Sequence, residues 1–192
     1  LLNCGDVMQD AALFYANKAK HPDFLLPEHF ILATLHRAEN TDSPERLQSI
    51  IAALEEIARE MPVVIPIHPR TRKKLQELNF NFKQTRLQLV DPVGYLEMVY
   101  LLKHCSLVAT DSGGLQKEAY FFKKYCITLR TETEWVELVE QGANIITGWR
   151  YEDILNSYKQ LKHTTKDVFS SPLYGDGQAG HIIIRELQRI DS

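Results

Sequence analysis

The chain has 192 residues, of which 44% are hydrophobic and 24% are charged. This composition is typical of a globular protein with one principal domain. The formal net charge of -3 provides no basic field that would hold a polyanion, so we expect no nucleic-acid partner. No apolar run approaches the roughly 20 residues of a membrane-spanning helix, and residues 1–6 lack the features of a signal peptide. We therefore expect a cytoplasmic protein that makes no contact with a membrane.

Cysteine usage gives no sign of a disulfide framework or a metal centre. The three cysteines, Cys4, Cys105 and Cys126, form no CxxC pair. Cys105 and Cys126 lie in apolar segments, where thiols usually act as small hydrophobic side chains.

In chain order, short β-branched apolar runs alternate with segments of helical periodicity, which is the pattern of βαβ units. A helix over residues 6–20 and a loop over 22–27 come first. The predicted strands span residues 29–35, 63–67, 87–90, 106–110, 125–129 and 144–146. Ser43 and Pro44 start the clearest helix, whose apolar face is formed by Leu47, Ile50, Ile51, Leu54 and Ile57. Weaker helices are predicted over residues 71–78, 95–103, 114–122, 134–141 and 151–161.

The alternation predicts an α/β fold, a Rossmann-like three-layer domain with a parallel sheet, because each helix can return right-handed across the sheet. The last segment, residues 178–190, is predicted to form an amphipathic helix after a turn-rich stretch. Its apolar residues need a surface to cover, either on this domain or on another one: Ile182, Ile183, Leu187 and Ile190.

The strongest site signal is the run TDSGGLQKE at residues 110–118, which follows a predicted strand and opens a helix. Gly113 and Gly114 would let the backbone approach a phosphate, and the first N–H groups of the helix would point at it. Ser112 can add a hydroxyl donor, and Glu118 is placed to accept hydrogen bonds from ribose hydroxyls. The alternative is that the glycines only form a tight turn and Glu118 is a solvated helix residue, because a short glycine pair is a weak motif.

Two further polar groups follow predicted strands and so fall on the same edge of the sheet. His36, within the run THRAEN that Leu35 interrupts, could donate to a phosphate or exchange a proton with a leaving diphosphate. His68 and Arg70 repeat the arrangement after the next strand. A histidine satisfied by local backbone is the alternative for His36. Glu134 and Glu137 could be site residues or the acidic first turn of a helix, and the helix reading is favoured for Glu137.

Taken together, these motifs resemble the non-hydrolysing UDP-N-acetylglucosamine 2-epimerase family, and the likeness extends over nearly the whole chain. Each motif alone is weak, but their order is specific. The motifs in order are GDVMQDA at residues 5–11, the THRxEN-like run at 34–40, HPR at 68–70, DP at 91–92 with YL at 95–96, DSGG at 111–114 with Gln116 and Glu118, TE at 133–134, and YGDG at 174–177.

The resemblance implies the C-terminal half of a GT-B fold and a reaction that eliminates UDP across C1–C2 and adds it back with C2 inverted. UDP-N-acetylglucosamine and UDP would be the ligands, a homodimer of the full-length protein is possible, and no cofactor or metal is implied. His36 would be catalytic. The residues implied to bind UDP are His36, Arg37, Met98, Ser112, Gly113, Gly114 and Glu118. The residues implied near the sugar or a second, activating sugar nucleotide are His68, Arg70 and Glu134.

The sequence departs from the family pattern at three places, which leave the sugar open. The usual TERPE string reads TEWVE at residues 133–137, Lys117 stands where an acidic residue is common, and Met98 stands where an aromatic is often found. A hydrolysing relative, an epimerase of a deoxy-sugar nucleotide, a GT-B glycosyltransferase donor domain and a nucleotide-sugar-binding module remain alternatives.

By the same resemblance, residues 1–28 would be an interdomain connector, 29–175 the UDP-binding domain, and 176–192 a helix that crosses back to an N-terminal domain. In that family the first domain carries the carboxylates that handle the C2 proton. We therefore expect this chain to bind nucleotide without turning it over.

Overall fold

A computed structural model describes residues 2–190 and places six parallel strands in one sheet. The strands are β1 (Ile31–Thr34), β2 (Val63–Pro66), β3 (Gln88–Val90), β4 (Leu107–Thr110), β5 (Cys126–Thr128) and β6 (Asn144–Ile146), in the order β3-β2-β1-β4-β5-β6. The helices are α1 (Val7–Ala16), α2 (Ala38–Thr41), α3 (Pro44–Ile57), α4 (Pro69–Glu77), α5 (Tyr95–His104), α6 (Gly113–Phe121), α7 (Val136–Glu140), α8 (Tyr151–Lys162) and α9 (Ala179–Ile190).

The central strand β1 is buried on both faces, and its alternating side chains belong to two separate cores. Ile31 and Ala33 pack in a core with residues of α3 and α8. Phe30 and Leu32 pack on the other face, in a core that includes residues of α5 and α6. Successive side chains of a strand point to opposite faces, so helices cover both faces of the sheet. The predicted three-layer α/β arrangement is confirmed.

The best-defined predicted helix forms as its sequence indicates. The hydroxyl of Ser43 accepts a hydrogen bond from the backbone N–H of Arg46, and Pro44 occupies the first turn of α3. All five residues of the predicted apolar face are buried: Leu47, Ile50, Ile51, Leu54 and Ile57. This helix therefore covers one face of the sheet, and it also contacts the short helix α2 that follows β1.

Two local predictions were wrong. The first helix ends at Ala16 and not at residue 20, because three of the four residues after it are polar and exposed, so another turn would bury little apolar surface. The short helix α2 was not predicted. It forms directly after β1, where its Asn40 side chain is buried and donates a hydrogen bond to the carbonyl of Leu129 at 2.8 Å. A contact 89 residues away in sequence fixes this turn, and no local pattern signals it.

The two ends of the described chain contact each other. The carboxylate of Asp10 in α1 accepts hydrogen bonds from the backbone N–H groups of Ala179 at 3.1 Å and Gly180 at 2.8 Å, and so caps α9. The outer face of α9 remains exposed at Ile183 and Leu187, whereas the side chain of Ile190 lies outside the described residues. None of the helices described over residues 2–190 is long and apolar enough to span a membrane.

Candidate functional site

A cleft of about 330 Å³ opens at the carboxyl ends of the strands, where the strand order reverses between β1 and β4. Open parallel sheets hold ligands at such a reversal, because neighbouring loops diverge there. The lining residues are Met8, Thr34, Leu35, His36, Pro66, His68, Pro92, Val93, Met98, Ser112, Gly114, Leu115 and Glu118. Six of the ten predicted site residues therefore line one cleft: His36, His68, Met98, Ser112, Gly114 and Glu118.

Asp111 organises the junction between β1 and β4. Its side chain is fully buried and accepts hydrogen bonds from the backbone N–H of His36 at 3.1 Å and of Arg37 at 2.9 Å, and from the Asn40 amide at 3.3 Å. Burial raises the pKa of Asp111, and the hydrogen bond from the Arg37 backbone opposes the rise. One carboxylate thus shapes the loop that carries His36.

The same carboxylate orients the imidazole of His36. Nδ1 of His36 lies 3.4 Å from Oδ1 of Asp111, so Nε2 is the ring nitrogen that faces away from the carboxylate. The imidazole is 39% exposed and lines the cleft. With a proton on Nε2, the imidazole in this position can donate a hydrogen bond to an anionic oxygen, while the buried carboxylate fixes the orientation of the ring.

The N-terminus of α6 contributes backbone donors to the cleft. The hydroxyl of Ser112 caps the helix by accepting a hydrogen bond from the N–H of Leu115 at 3.4 Å. The N–H groups of Gly113 and Gly114 come before that of Leu115 in the chain, and neither donates to an acceptor among the residues that the structure describes. Unpaired N–H groups at the positive end of a helix dipole form an anion-binding site.

Glu118 lies one turn into α6 and is held by a tyrosine. The hydroxyl of Tyr95 donates a hydrogen bond to Oε1 of Glu118 at 3.0 Å. Burial raises the pKa of Glu118, and this hydrogen bond opposes the rise. Burial and the neighbouring carboxylate raise the pKa of Tyr95 to about 12, so the phenol stays protonated and remains a donor. With one oxygen held by Tyr95, the other can accept hydrogen bonds from hydroxyl groups of a ligand.

The second histidine faces the first across the cleft. The ring centroids of His68 and His36 are 6.0 Å apart. Nδ1 of His68 accepts a hydrogen bond from the backbone N–H of Arg70 at 3.2 Å and so caps α4. The guanidinium of Arg70 turns away from the cleft, donating to Thr41 at 3.0 Å and to Asp42 at 2.5 Å. The structure thus brings His68 to the cleft, whereas Arg70 does not line it.

Arg37 and Glu134 lie beside the glycine turn, outside the lining of the cleft. Both carboxylate oxygens of Glu134 accept hydrogen bonds from the buried Arg130 at 2.9 Å. A hydrogen bond from its own backbone N–H, together with Arg130, lowers the pKa of Glu134. A Cβ atom at Gly113 would lie 3.2 Å from Oε2 of Glu134 and 3.6 Å from Nη2 of Arg37. A side chain at position 113 would therefore press on Glu134, and ligand contacts by Arg37, Gly113 and Glu134 stay predictions.

Sequence reasoning assigned no role to three residues of this site. The side chain of Asp111 was quoted only as part of a motif, although a carboxylate directly after a buried strand is a signal for a buried hydrogen-bond acceptor. Tyr95 was predicted as the start of a helix and quoted as part of a motif, with no role in the site. Met8 reaches the cleft from α1, because that helix packs against α5 and α6. No local pattern connects α1 with the cleft.

The cleft combines free N–H groups at a helix start that contains glycines with a carboxylate that can accept hydrogen bonds from hydroxyl groups. Rossmann-like domains bind nucleotides with this combination of groups. The comparison with known proteins agrees with this class. A profile described as UDP-N-acetylglucosamine 2-epimerase matches residues 1–188. The chain therefore belongs to the UDP-N-acetylglucosamine 2-epimerase family.

Two curated relatives illustrate the range within the family. The chain is 51% identical to the UDP-2,3-diacetamido-2,3-dideoxy-D-glucuronate 2-epimerase of Pseudomonas aeruginosa, covering 99% of this chain and 53% of that protein. It is 39% identical to the UDP-N-acetylglucosamine 2-epimerase of Methanocaldococcus jannaschii, covering 85% of this chain and 45% of that protein. The chain thus spans about half the length of the curated relatives it matches.

Solved structures give the same picture. The crystal structure of the Methanocaldococcus jannaschii epimerase in complex with UDP-GlcNAc and UDP matches with a TM-score of 0.84 at 36% identity, covering 96% of this chain and 54% of that one. The Neisseria meningitidis epimerase bound to UDP-GlcNAc matches with a TM-score of 0.81 at 29% identity, and the match covers 96% of this chain and 54% of that one. The predicted fold, one half of a GT-B architecture, is confirmed.

Proposed function

We propose that this chain is the UDP-binding part of a UDP-N-acetylglucosamine 2-epimerase, whose full-length form interconverts UDP-N-acetylglucosamine and UDP-N-acetylmannosamine. In this proposal the diphosphate binds at the start of α6, through Ser112 and the N–H groups of Gly113 and Gly114. The carboxylate of Glu118 accepts hydrogen bonds from the ribose hydroxyls. His36 donates to the diphosphate from the opposite wall. Family membership and the ligands of the two solved relatives support the assignment.

The observation that carries the nucleotide assignment is the empty surroundings of Gly114. A Cβ atom placed there would meet no atom within 4 Å, and the residue has no positive φ that would demand glycine. Glycine in a helix is destabilising by about 0.5–1 kcal/mol relative to alanine, so folding alone gives no reason for it. A ligand that approaches the backbone closely does give a reason, because a methyl group would keep a phosphate from the N–H groups.

Gly114→Ala tests this reading because stability and binding should change in opposite directions. We expect the variant to melt at a higher temperature than the wild type, while UDP binds at least tenfold more weakly by calorimetry. Gly180→Ala, in the first turn of α9, is the matched control and should leave UDP affinity unchanged, since Gly180 does not line the cleft. Unchanged UDP affinity in Gly114→Ala would show that the phosphate does not bind at this turn.

The proposed reaction breaks the C1–O bond, with the electron pair leaving on UDP, while a base removes the C2 proton to form a C1=C2 double bond. UDP then adds back at C1, and C2 is protonated from the opposite face. His36 would stabilise the negative charge on departing UDP. Glu118 is assigned to the ribose and Asp111 is buried, so we assign the base at C2 to the rest of the longer protein.

This division of labour predicts binding without turnover by the 192-residue chain. The C2 proton of the sugar should exchange with deuterated water in the presence of the full-length protein and not in the presence of this chain alone, as followed by NMR. Proton abstraction needs a base within hydrogen-bond reach of C2, and we place none here. Exchange catalysed by the chain alone would show that it carries its own base.

A second candidate substrate is favoured by one comparison. The relative from Pseudomonas aeruginosa acts by its name on UDP-2,3-diacetamido-2,3-dideoxy-D-glucuronate, and its 51% identity exceeds the 39% of the Methanocaldococcus jannaschii enzyme. Both substrates would share the UDP site and differ at C3 and C6 of the sugar. Turnover of the two compounds by the full-length protein, with the products separated, decides between them and also detects a hydrolysed product.

We also propose that α1 and α9 contact the remainder of the full-length protein. Both helices expose large apolar side chains next to each other, which is unusual for a surface that faces only water. The exposed residues are Val7, Leu13, Phe14 and Tyr15 on α1, and Ile183, Ile184 and Leu187 on α9. The homodimer and the cytoplasmic location stay predictions.

A further inference from the structure

A buried lysine joins three distant segments beside the glycine turn. Lys117 on α6 is 5% exposed, and its ammonium forms an ion pair with the carboxylate of Asp6. The same ammonium lies over the ring of Trp135 at 4.1 Å and over the ring of Tyr174 at 4.6 Å. A cation between two aromatic faces is attracted to both, and more strongly where water is excluded. Lys117 thus holds the segments before α1, before α7 and before α9 together.

The indole of Trp135 extends this contact to the proposed phosphate site. Its Nε1 donates a hydrogen bond to the carbonyl of Gly113 at 2.8 Å. A peptide group is planar, so the direction of the Gly113 carbonyl fixes the direction of the Gly114 N–H on the same plane. Glycine restricts its own backbone little, so at the two glycines that begin α6 a contact from another segment can add to what the helix itself imposes on this plane. The indole supplies such a contact.

The partner carboxylate of Lys117 is itself firmly placed. The backbone N–H of Asp6 donates to the carbonyl of Tyr174 at 2.8 Å, and its side chain caps α1 by accepting from the N–H of Met8 at 2.7 Å. Gly5 has a φ of +85°, and a Cβ atom there would lie 2.8 Å from the carbonyl oxygen of Tyr174. The two chain segments therefore cross in direct backbone contact, and the ammonium is anchored to this crossing.

We propose that Lys117 is a positioning residue for the phosphate-binding turn. Its ammonium, anchored by Asp6, keeps the indole of Trp135 on the Gly113 carbonyl and so directs the Gly114 N–H toward the diphosphate. Lys117 touches no ligand in this proposal and acts only through Trp135. The proposal rests on the proposed function, because it assumes that phosphate binds at Gly114.

The distinguishing measurement compares ligands with and without phosphates. Lys117→Met removes the cation but leaves Asp6 half-buried and unpaired, so the test variant is the double substitution Asp6→Asn with Lys117→Met, which keeps a side chain able to cap α1. We expect UDP to bind this variant about tenfold more weakly and uridine to bind unchanged. Trp135→Phe, which keeps a ring but removes the indole donor, should give the same pattern. Lys73→Met, at an exposed lysine, is the control and should bind both ligands as the wild type does.

A second readout needs no ligand at all. The chain has two tryptophans, so Trp149→Phe leaves the indole N–H of Trp135 as a single NMR signal. In that background the double variant should show faster hydrogen exchange at this N–H, because the indole is released from the Gly113 carbonyl. An unchanged exchange rate would overturn the proposal, as would equal losses of UDP and uridine affinity. Failure of the wild type to bind UDP would instead contradict the proposed function, while the exchange rate would still test the contact.

Discussion

The two sides of the cleft differ in how their polar groups are held. On the β1–β4 side, the buried carboxylate of Asp111 binds the backbone of the His36 loop and faces its imidazole. On the β2 side, His68 is exposed and Arg70 forms an ion pair with Asp42, with both of these side chains more than 40% exposed. Buried hydrogen bonds hold the β1–β4 side, whereas the contacts that hold the β2 side are exposed, so water can replace them.

This difference separates residues whose position the fold determines from residues whose position a ligand could still change. A buried acceptor that loses its donors costs the full desolvation penalty, so alternatives to the observed geometry are expensive. An exposed ion pair contributes little and exchanges readily with solvent. We therefore expect substitutions on the β1–β4 side to have large effects and those on the β2 side to have small ones.

The largest effect is expected for Asp111→Ala, which would leave the N–H groups of His36 and Arg37 without their acceptor. Each buried donor left unpaired costs about 1–3 kcal/mol, so we expect the free energy of unfolding to fall by roughly 3–5 kcal/mol. Urea denaturation measures it. Asp91→Ala is the control, since its side chain is 92% exposed and its loss should change stability by less than about 0.5 kcal/mol. A similar small loss for Asp111→Ala would show that the loop is held by other contacts.

The next effect is expected for His36→Ala in the full-length protein. Removing one preorganised donor to the departing UDP should lower the turnover rate by about 100-fold to 1000-fold. The rate of C2 proton exchange measures the loss, and UDP affinity of the 192-residue chain measures how much of it is ordinary binding. His29→Ala serves as the control, because His29 precedes β1 and does not line the cleft. A full rate in His36→Ala would assign charge stabilisation to another group.

The contrast also explains which features could be predicted from the sequence. Ser112, Gly114 and Glu118 were placed correctly in one cleft because strand ends and helix starts are local patterns, and a parallel sheet brings them to one edge. His36 followed from the same rule. The tie between Asp111 and the β1 loop spans about 75 residues, and no periodicity encodes such a partner.

Long side chains were harder to place. Arg70 begins at the correct sheet edge, but its guanidinium is directed by Asp42, which lies 28 residues away. Lys117 stands in the middle of a recognised motif, yet its aromatic neighbours come from segments that the sequence alone does not bring together. A backbone position follows from the element pattern, whereas the direction of a flexible charged side chain depends on tertiary partners.

Glu118→Gln should have an intermediate effect, since Glu118 is held on one oxygen by Tyr95 and open to the ligand on the other. Loss of a charge-assisted hydrogen bond to a ribose hydroxyl should weaken UDP binding by about 1.5–3 kcal/mol in calorimetric titrations. Glu77→Gln, on the exposed face of α4, is the matched control. Equal or tighter UDP binding by Glu118→Gln would remove this residue from the site.

The pH dependence of uridine binding sharpens the same assignment, because uridine carries no phosphate to titrate. Burial raises the pKa of Glu118 above that of an ordinary glutamate, and the ribose hydroxyls need its ionised form as an acceptor. Uridine affinity should therefore fall as the pH is lowered, beginning above the range of an ordinary glutamate. Glu118→Gln should remove this dependence, and an identical pH profile in wild type and variant would contradict the assignment.

The smallest effect is expected for Arg70→Ala, the substitution that tests the open side of the cleft. The guanidinium is 43% exposed and donates to Thr41 and Asp42, so its loss should change the free energy of unfolding by no more than about 1 kcal/mol. UDP affinity should change by less than about twofold, because the charge does not reach the cleft in the observed geometry. Asp42→Ala is the informative partner, since it releases Arg70 without removing it. Weaker UDP binding in Arg70→Ala together with tighter binding in Asp42→Ala would show that the side chain swings into the cleft, and would make the β2 side part of the UDP site after all.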